Sequence, residues 1–163
     1  MIGAGGREPA PCDMLLCRVS ERLAALGCGS DVQAAGLTHA VYGTDGFDLA
    51  LLDRADRAVL RDLVGADAEE LVYLCGACDR ERSWRKLAQT GQVFDRFVGQ
   101  VRTLDAAQLR SLTDLSIVNE LDVIEHDPAV ADRHSIYLRE LFASWAPLAS
   151  EQVIRDAQRV LRP

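Results

Sequence analysis

Few side chains in this sequence can exchange a proton near neutral pH; among its 163 residues only three are histidines. His39 is the best placed of them. It falls near the end of a helix predicted over 31–41, and Tyr42-Gly43-Thr44-Asp45-Gly46-Phe47 follows at once. Two glycines within four residues demand an unusual backbone path there. Gly36 and Gly43 are neighbours of His39 by helical spacing and are expected to leave open space beside its ring. An imidazole in such a place could act as general acid or base. Periodicity alone also allows the plainer role of a hydrogen-bonded core histidine.

A second group of polar side chains interrupts an apolar run further on, where Asn119, Glu120 and Asp122 sit among Ile117, Val118, Leu121, Val123 and Ile124. Asp122 and His126 are four apart and share one helical face. Burying such a polar group without a partner costs on the order of 1–3 kcal/mol. An inward-facing Asn119 or Asp122 therefore needs a reason; the plainer alternative is that Glu120, Asp122 and His126 simply line a solvated face.

Cysteine chemistry is less promising. Cys75-Gly76-Ala77-Cys78 has Cys-x-x-Cys spacing, but it is predicted inside a helix and lacks the second pair that structural zinc normally uses. Five cysteines are expected to be reduced thiols. No phosphate-binding loop, dinucleotide fingerprint, nucleophile elbow or His-Glu-x-x-His pair occurs.

The elements that must position these residues read as helices. Asp13 is expected to cap the first, with Leu15, Leu16, Val19, Leu23 and Leu26 on one face and Gly27 and Gly29 ending it. Ser30 caps the second. A third runs over 54–63, and a fourth opens at Asp67, carries Cys75 and Cys78, and surfaces at the polar stretch 79–82. A shorter element covers 94–101. Asp105 caps a long helix to about Glu125, Pro128 begins another, and Ser150 with Glu151 starts the last. No long alternating run and no Asn-Gly hairpin signal appears, so almost no strand is expected. The fold class is all-α, a single compact domain of about seven or eight helices over 13–163, behind a flexible leader at 1–12.

Composition supports this. Hydrophobic residues make up 48% of the chain and aromatics only 6%, which suits a Leu-, Val- and Ala-rich helical core. Net charge is −7, so phosphate backbones are repelled and no nucleic-acid partner is expected. All basic residues but Lys86 are arginine, a bias read as genomic and not as a binding signal. No apolar run approaches the ~20 residues of a membrane span, and the first residues lack the apolar core of a signal peptide. A cytoplasmic protein is expected, with no membrane partner and with a homodimer allowed.

Taken in order, Leu15-Leu16-Cys17-Arg18-Val19, Ala35-Gly36-Leu37-Thr38-His39-Ala40 and Val118-Asn119-Glu120-Leu121-Asp122 resemble the HD-domain superfamily of helical, metal-dependent phosphohydrolases and their di-iron oxygenase relatives. The stretch from Gly36 to Phe47, followed by Glu69-Glu70-Leu71-Val72-Tyr73, is similar to a divergent branch with a His-x-x-Tyr-Gly-Thr box. The likeness covers residues 13–126. It implies an HD-domain-like bundle whose helices converge on a central pocket. Against the superfamily's ligand set, Cys17 stands at the first His, Ala40 at the Asp of the His-Asp pair, and Asn119 or Asp122 at the last Asp. Only His39 keeps its type, and hard divalent cations want several oxygen or imidazole ligands. No metal ligands and no cofactor are therefore expected.

What the resemblance leaves is a pocket for metal-free acid–base chemistry. His39, Asp45 and Tyr42 are its expected catalytic residues; Cys17, Thr44, Asn119 and Asp122 are expected to bind the substrate. The expected function is a small-molecule enzyme of specialised metabolism, performing isomerisation, cyclisation, dehydration or hydrolysis. One alternative is an inactive ligand-binding or regulatory relative. A second is a residual metal-dependent hydrolase using His39, Asp45 and Asp122.

Overall fold

The structure, a computed structural model, describes residues 11–46 and 49–162, with side chains from Met14 onward. Helix α1 (Pro11–Ala25) buries Val19 and Leu23, and α2 (Ser30–Thr38) folds back against it. The two approach closely because position 36 is glycine. A Cβ there would lie 2.6 Å from Leu23 Cδ1. The space expected beside His39 at Gly36 is thus filled by α1.

Helix α2 ends at Thr38, and His39 is its C-cap, three residues earlier than expected. Gly43 and Gly46 both have positive φ, the left-handed backbone that turns the following box. Phe47 lies outside the described residues. A 3₁₀ turn at Arg54–Asp56 leads into α3 (Arg57–Val64), which packs on α4 (Ala66–Ala77). Helix α4 is short of the polar stretch it was expected to reach. Cys78 adopts extended backbone and pairs with Asp95, so the Cys-x-x-Cys pair sits at the helix end and not inside it. Two single-turn helices follow, α5 (Arg80–Ser83) and α6 (Leu87–Thr90).

In keeping with the expectation of almost no strand, the described residues hold one small antiparallel hairpin of β1 (Gln92–Asp95) and β2 (Gln100–Thr103), with Phe94 opposite Val101. Its alternation is hidden because one inward residue is polar. Asp95, buried beside Val93, accepts from the Tyr73 hydroxyl at 3.0 Å and from Phe97 N at 2.9 Å. Gly99, with φ near 71°, closes the turn without an Asn-Gly pair.

Helix α7 (Ala106–His126) is the central element, about 30 Å long at 1.5 Å per residue. Asp105 and Gln108 form a reciprocal capping box at its start. Its apolar face (Leu112, Leu115, Ile117, Val118, Leu121, Ile124) packs against α1, α2, α4, α8 (Pro128–Trp145) and α9 (Glu151–Val160). Trp84 and Trp145 meet edge-to-face at 5.3 Å, and Trp145 Nε1 donates to the Trp84 carbonyl at 3.2 Å. Apart from the hairpin the described chain is a mostly helical, compact fold, with seven helices of eight residues or more. The first helix starts at Pro11, so position 13 lies inside it and not at its N-cap; residues 1–10 of the expected leader lie outside the described residues.

Candidate functional site

His39 is buried, and its Nδ1 lies 2.9 Å from the Gly36 carbonyl. A carbonyl only accepts, so in the neutral ring Nδ1 carries the hydrogen and Nε2 the lone pair. Burial and the Arg80 charge favour the neutral ring, while Gly36, Asn119 and Glu120 favour the cation; burial dominates and the imidazole pKa is lowered from 6.5. The neutral ring is thus the form that the fold favours.

The ring lines a small cavity together with Thr44, Arg80, Ser116 and Asn119. Cys75, Cys78 and Trp84 complete the wall nearest α4 and α5. Its volume is about 20 Å³, room for a single water. Burial pushes the Cys75 thiol up to about 12 and the Cys78 thiol to about 11, so both are neutral, unreactive walls.

Arg80 is the charged side chain of this wall. Its Nη1 donates to Glu120 Oε1 at 2.8 Å, and its guanidinium stacks over Trp84 at 4.7 Å. Asn119 Nδ2 donates to the same Glu120 oxygen at 3.3 Å. Asp45 Oδ2 accepts from Arg80 N at 2.8 Å, tying the glycine-rich box to the start of α5.

The sequence-expected residues therefore divide. His39, Thr44 and Asn119 share one cavity, and Asp45 anchors its Arg80 wall. Tyr42 points elsewhere. Its hydroxyl donates to Glu69 at 2.8 Å, and Glu69, fully buried, also receives Arg57 at 2.7 and 2.8 Å and Arg61 at 3.3 Å. Burial raises the Glu69 pKa, but the hydrogen bonds from Arg57 and Tyr42 and the Arg57 charge outweigh it and hold the carboxyl below its usual range. Asp122 is buried in a two-pronged ion pair with Arg18, at 2.9 and 2.7 Å, and Cys17 is exposed; neither lines the His39 cavity. The polar interruption at Asp122 thus has its reason in the α1–α7 contact.

A larger cleft of about 540 Å³ was missed by sequence reasoning. It too is walled by α4 and α7, but it borders the opposite, N-terminal end of α2 at Asp31 and Val32. Its deepest polar group is Asp114, which accepts from Ser150 N at 2.8 Å and Ser150 Oγ at 2.5 Å, with Cys28 Sγ at 4.0 Å. Burial raises the Asp114 pKa against the opposing Ser150 hydrogen bonds, and it pushes the Cys28 thiol to about 11. The available signal was Asp114 itself, a carboxylate flanked by Leu112, Thr113 and Leu115 on an apolar stripe. Three of the cleft's carboxylates hold structure together. Asp114 orients the N-cap of α9, Asp105 caps α7, and Glu70 pairs with Arg57 and Arg102.

Among the described residues, no three His, Cys, Asp or Glu side chains converge to hold an ion. Nor is any helix among them long and apolar enough to cross a membrane.

Residues 12–80 match a family described as a domain of unknown function (DUF6817). The match spans α1 to the start of α5 and so takes in His39 and its box. Comparison with curated proteins and with solved structures gives no match.

Proposed function

We propose that this chain is a metal-independent small-molecule enzyme of the HD-domain-like kind, with His39 as its acid–base group. The observation that carries this reading is the state of His39: a buried, neutral imidazole whose tautomer is set by the Gly36 carbonyl and whose ring borders a cavity shared with Thr44, Ser116 and Asn119. In the proposed chemistry Nε2 takes a proton from the substrate or from a water. Asn119, Thr44 and Ser116 supply hydrogen bonds to the group that gains charge. Asp45 holds Arg80 against the cavity through its backbone, and Tyr42 acts at one remove by fastening the box to Glu69.

At about 20 Å³ the cavity admits one water and no substrate, so turnover in this scheme requires the Arg80 wall or the Thr44 loop to move. A second reading, a ligand-binding protein without turnover, is favoured by the way Arg80, Asn119 and Glu120 already satisfy one another. The residual metal hydrolase has less support, because Asp45 and Asp122 are engaged by Arg80 and Arg18.

The test compares wild type with His39→Gln on a panel of small substrates for hydration, isomerisation and hydrolysis. Gln keeps volume and hydrogen bonding but cannot exchange a proton near neutrality. Turnover lost in a folded His39→Gln protein supports the enzyme; equal turnover by both overturns it. Saturable ligand-induced melting shifts without turnover in either protein would select the binding reading.

A further inference from the structure

Glu120 stands on two donors that belong to the His39 cavity. Arg80 and Asn119 both line that cavity, and both direct a hydrogen bond to the same oxygen, Glu120 Oε1, at 2.8 and 3.3 Å. Glu120 itself does not line it. The pair is thus a carboxylate receptor whose occupant comes from the chain.

Arg80 is built for this task. Its ring of donors is planar and suited to a carboxylate. Its flat face rests on Trp84, which holds the fork in place with little rotamer freedom left to lose. Its backbone is fixed by Asp45. Among the described residues its Nε and Nη2 make no hydrogen bond, and its side chain keeps 31% of its exposure, so a ligand can reach it from solvent. The rest of the wall is neutral: Thr44, Ser116 and the Asn119 amide can hydrogen-bond, while Leu112 and Leu115 are apolar.

We infer that the His39 site recognises a small molecule bearing a carboxylate, which takes the donors of Arg80 and Asn119 from Glu120. The inference rests on the acid–base reading above and names its substrate class. Glu120 withdraws while Arg80 stays on Trp84, and the Thr44 loop moves to widen a cavity now sized for one water. The same exchange places the ligand's carboxylate beside the imidazole, with its neighbouring carbon within the region His39 serves.

Acetate, succinate and benzoate, each set beside its amide, serve as probes. Affinity is measured by calorimetry, and the binding place by the ring ¹⁵N resonances of His39, assigned from their loss in His39→Gln. The expected result is saturable binding of at least one carboxylate that shifts the His39 resonances, with no binding of its amide. Arg80→Gln should weaken it ten-fold or more. Glu120→Gln should tighten it several-fold, because the internal competitor loses its charge. Equal binding of amides, unmoved His39 resonances, or affinity unchanged in Glu120→Gln overturns the inference. Should Arg80→Gln fail to fold, Arg80→Lys keeps the charge without the fork, and the Glu120→Gln result still decides. His39→Gln is assayed for turnover alone. Its loss of turnover tests the acid–base reading separately, so each idea can fail alone.

Discussion

Gly76 of α4 and Gly43 of the glycine-rich box meet backbone to backbone: a Cβ on Gly76 would stand 2.8 Å from the Gly43 carbonyl oxygen. The same Cβ would come within 3.2 Å of the Phe97 ring. A backbone carbonyl cannot rotate away as a side-chain tip can. Gly76→Ala should therefore destabilise by about 1–3 kcal/mol, despite the roughly 1 kcal/mol that alanine contributes to a helix. Because Thr44 follows Gly43, the variant should also shift the His39 ring resonances. A melting temperature at or above wild type would show that the contact is loose.

His39 makes stability depend on pH. Its folded pKa lies below 6.5, so below about pH 6.5 the unfolded chain binds a proton that the folded chain refuses. Stability from this group is full above the unfolded value and falls as pH drops through the window beneath it. His39→Gln should flatten that slope below about pH 6.5. Parallel stability curves for the two proteins would mean that the fold does not lower the His39 pKa.

Glu69 is the buried anchor of Tyr42, Arg57 and Arg61. Its folded pKa is depressed, so its contribution is present above the unfolded value near 4.5 and is lost as pH falls through the folded one. Glu69→Gln should cost about 1–3 kcal/mol at pH 7, and Tyr42→Phe about 1 kcal/mol. Urea titration of both variants checks the order. A larger loss in Tyr42→Phe would put the weight of the network on the hydroxyl.

The thiols should react in two classes. Cys17 is exposed, whereas Cys28, Cys75 and Cys78 are shielded and their pKa values raised to about 11, 12 and 11. Alkylation of native protein at pH 7.5, read by peptide mass, should label Cys17 well before these three. In denaturant without reductant, five thiols should be counted. Rapid native labelling of Cys75 would show that the His39 cavity opens.

Much of the helical plan was legible because it is local. The Asp105–Gln108 capping box, Pro128 at the start of α8 and Ser150 before α9 are signals carried by a few adjacent residues, and α7, α8 and α9 start where those residues place them. The hairpin was not legible. Its strands have four residues each, and Asp95 stands where alternation calls for an apolar side chain, a choice that pays off only once Tyr73 is beside it. Helix α4 stops at Ala77 for a similar reason, since Cys78 is drawn into extended pairing with Asp95, seventeen positions away.

The sequence by itself determined a helical chain, a backbone reversal at Gly43 and Gly46, and His39 as the residue to examine, because propensity, capping and glycine geometry act within a few residues. Only the tertiary structure decided which polar groups serve His39. Asn119 and Asp122 lie less than one turn apart on α7, and nothing in their spacing tells them apart. Packing does: α1 brings Arg18 to Asp122, while the end of α2 brings His39 to Asn119. Tyr42, three residues from His39, is likewise carried away by Glu69 on α4. Burial forces each polar side chain to find a partner, and the partners come from helices far apart in the chain.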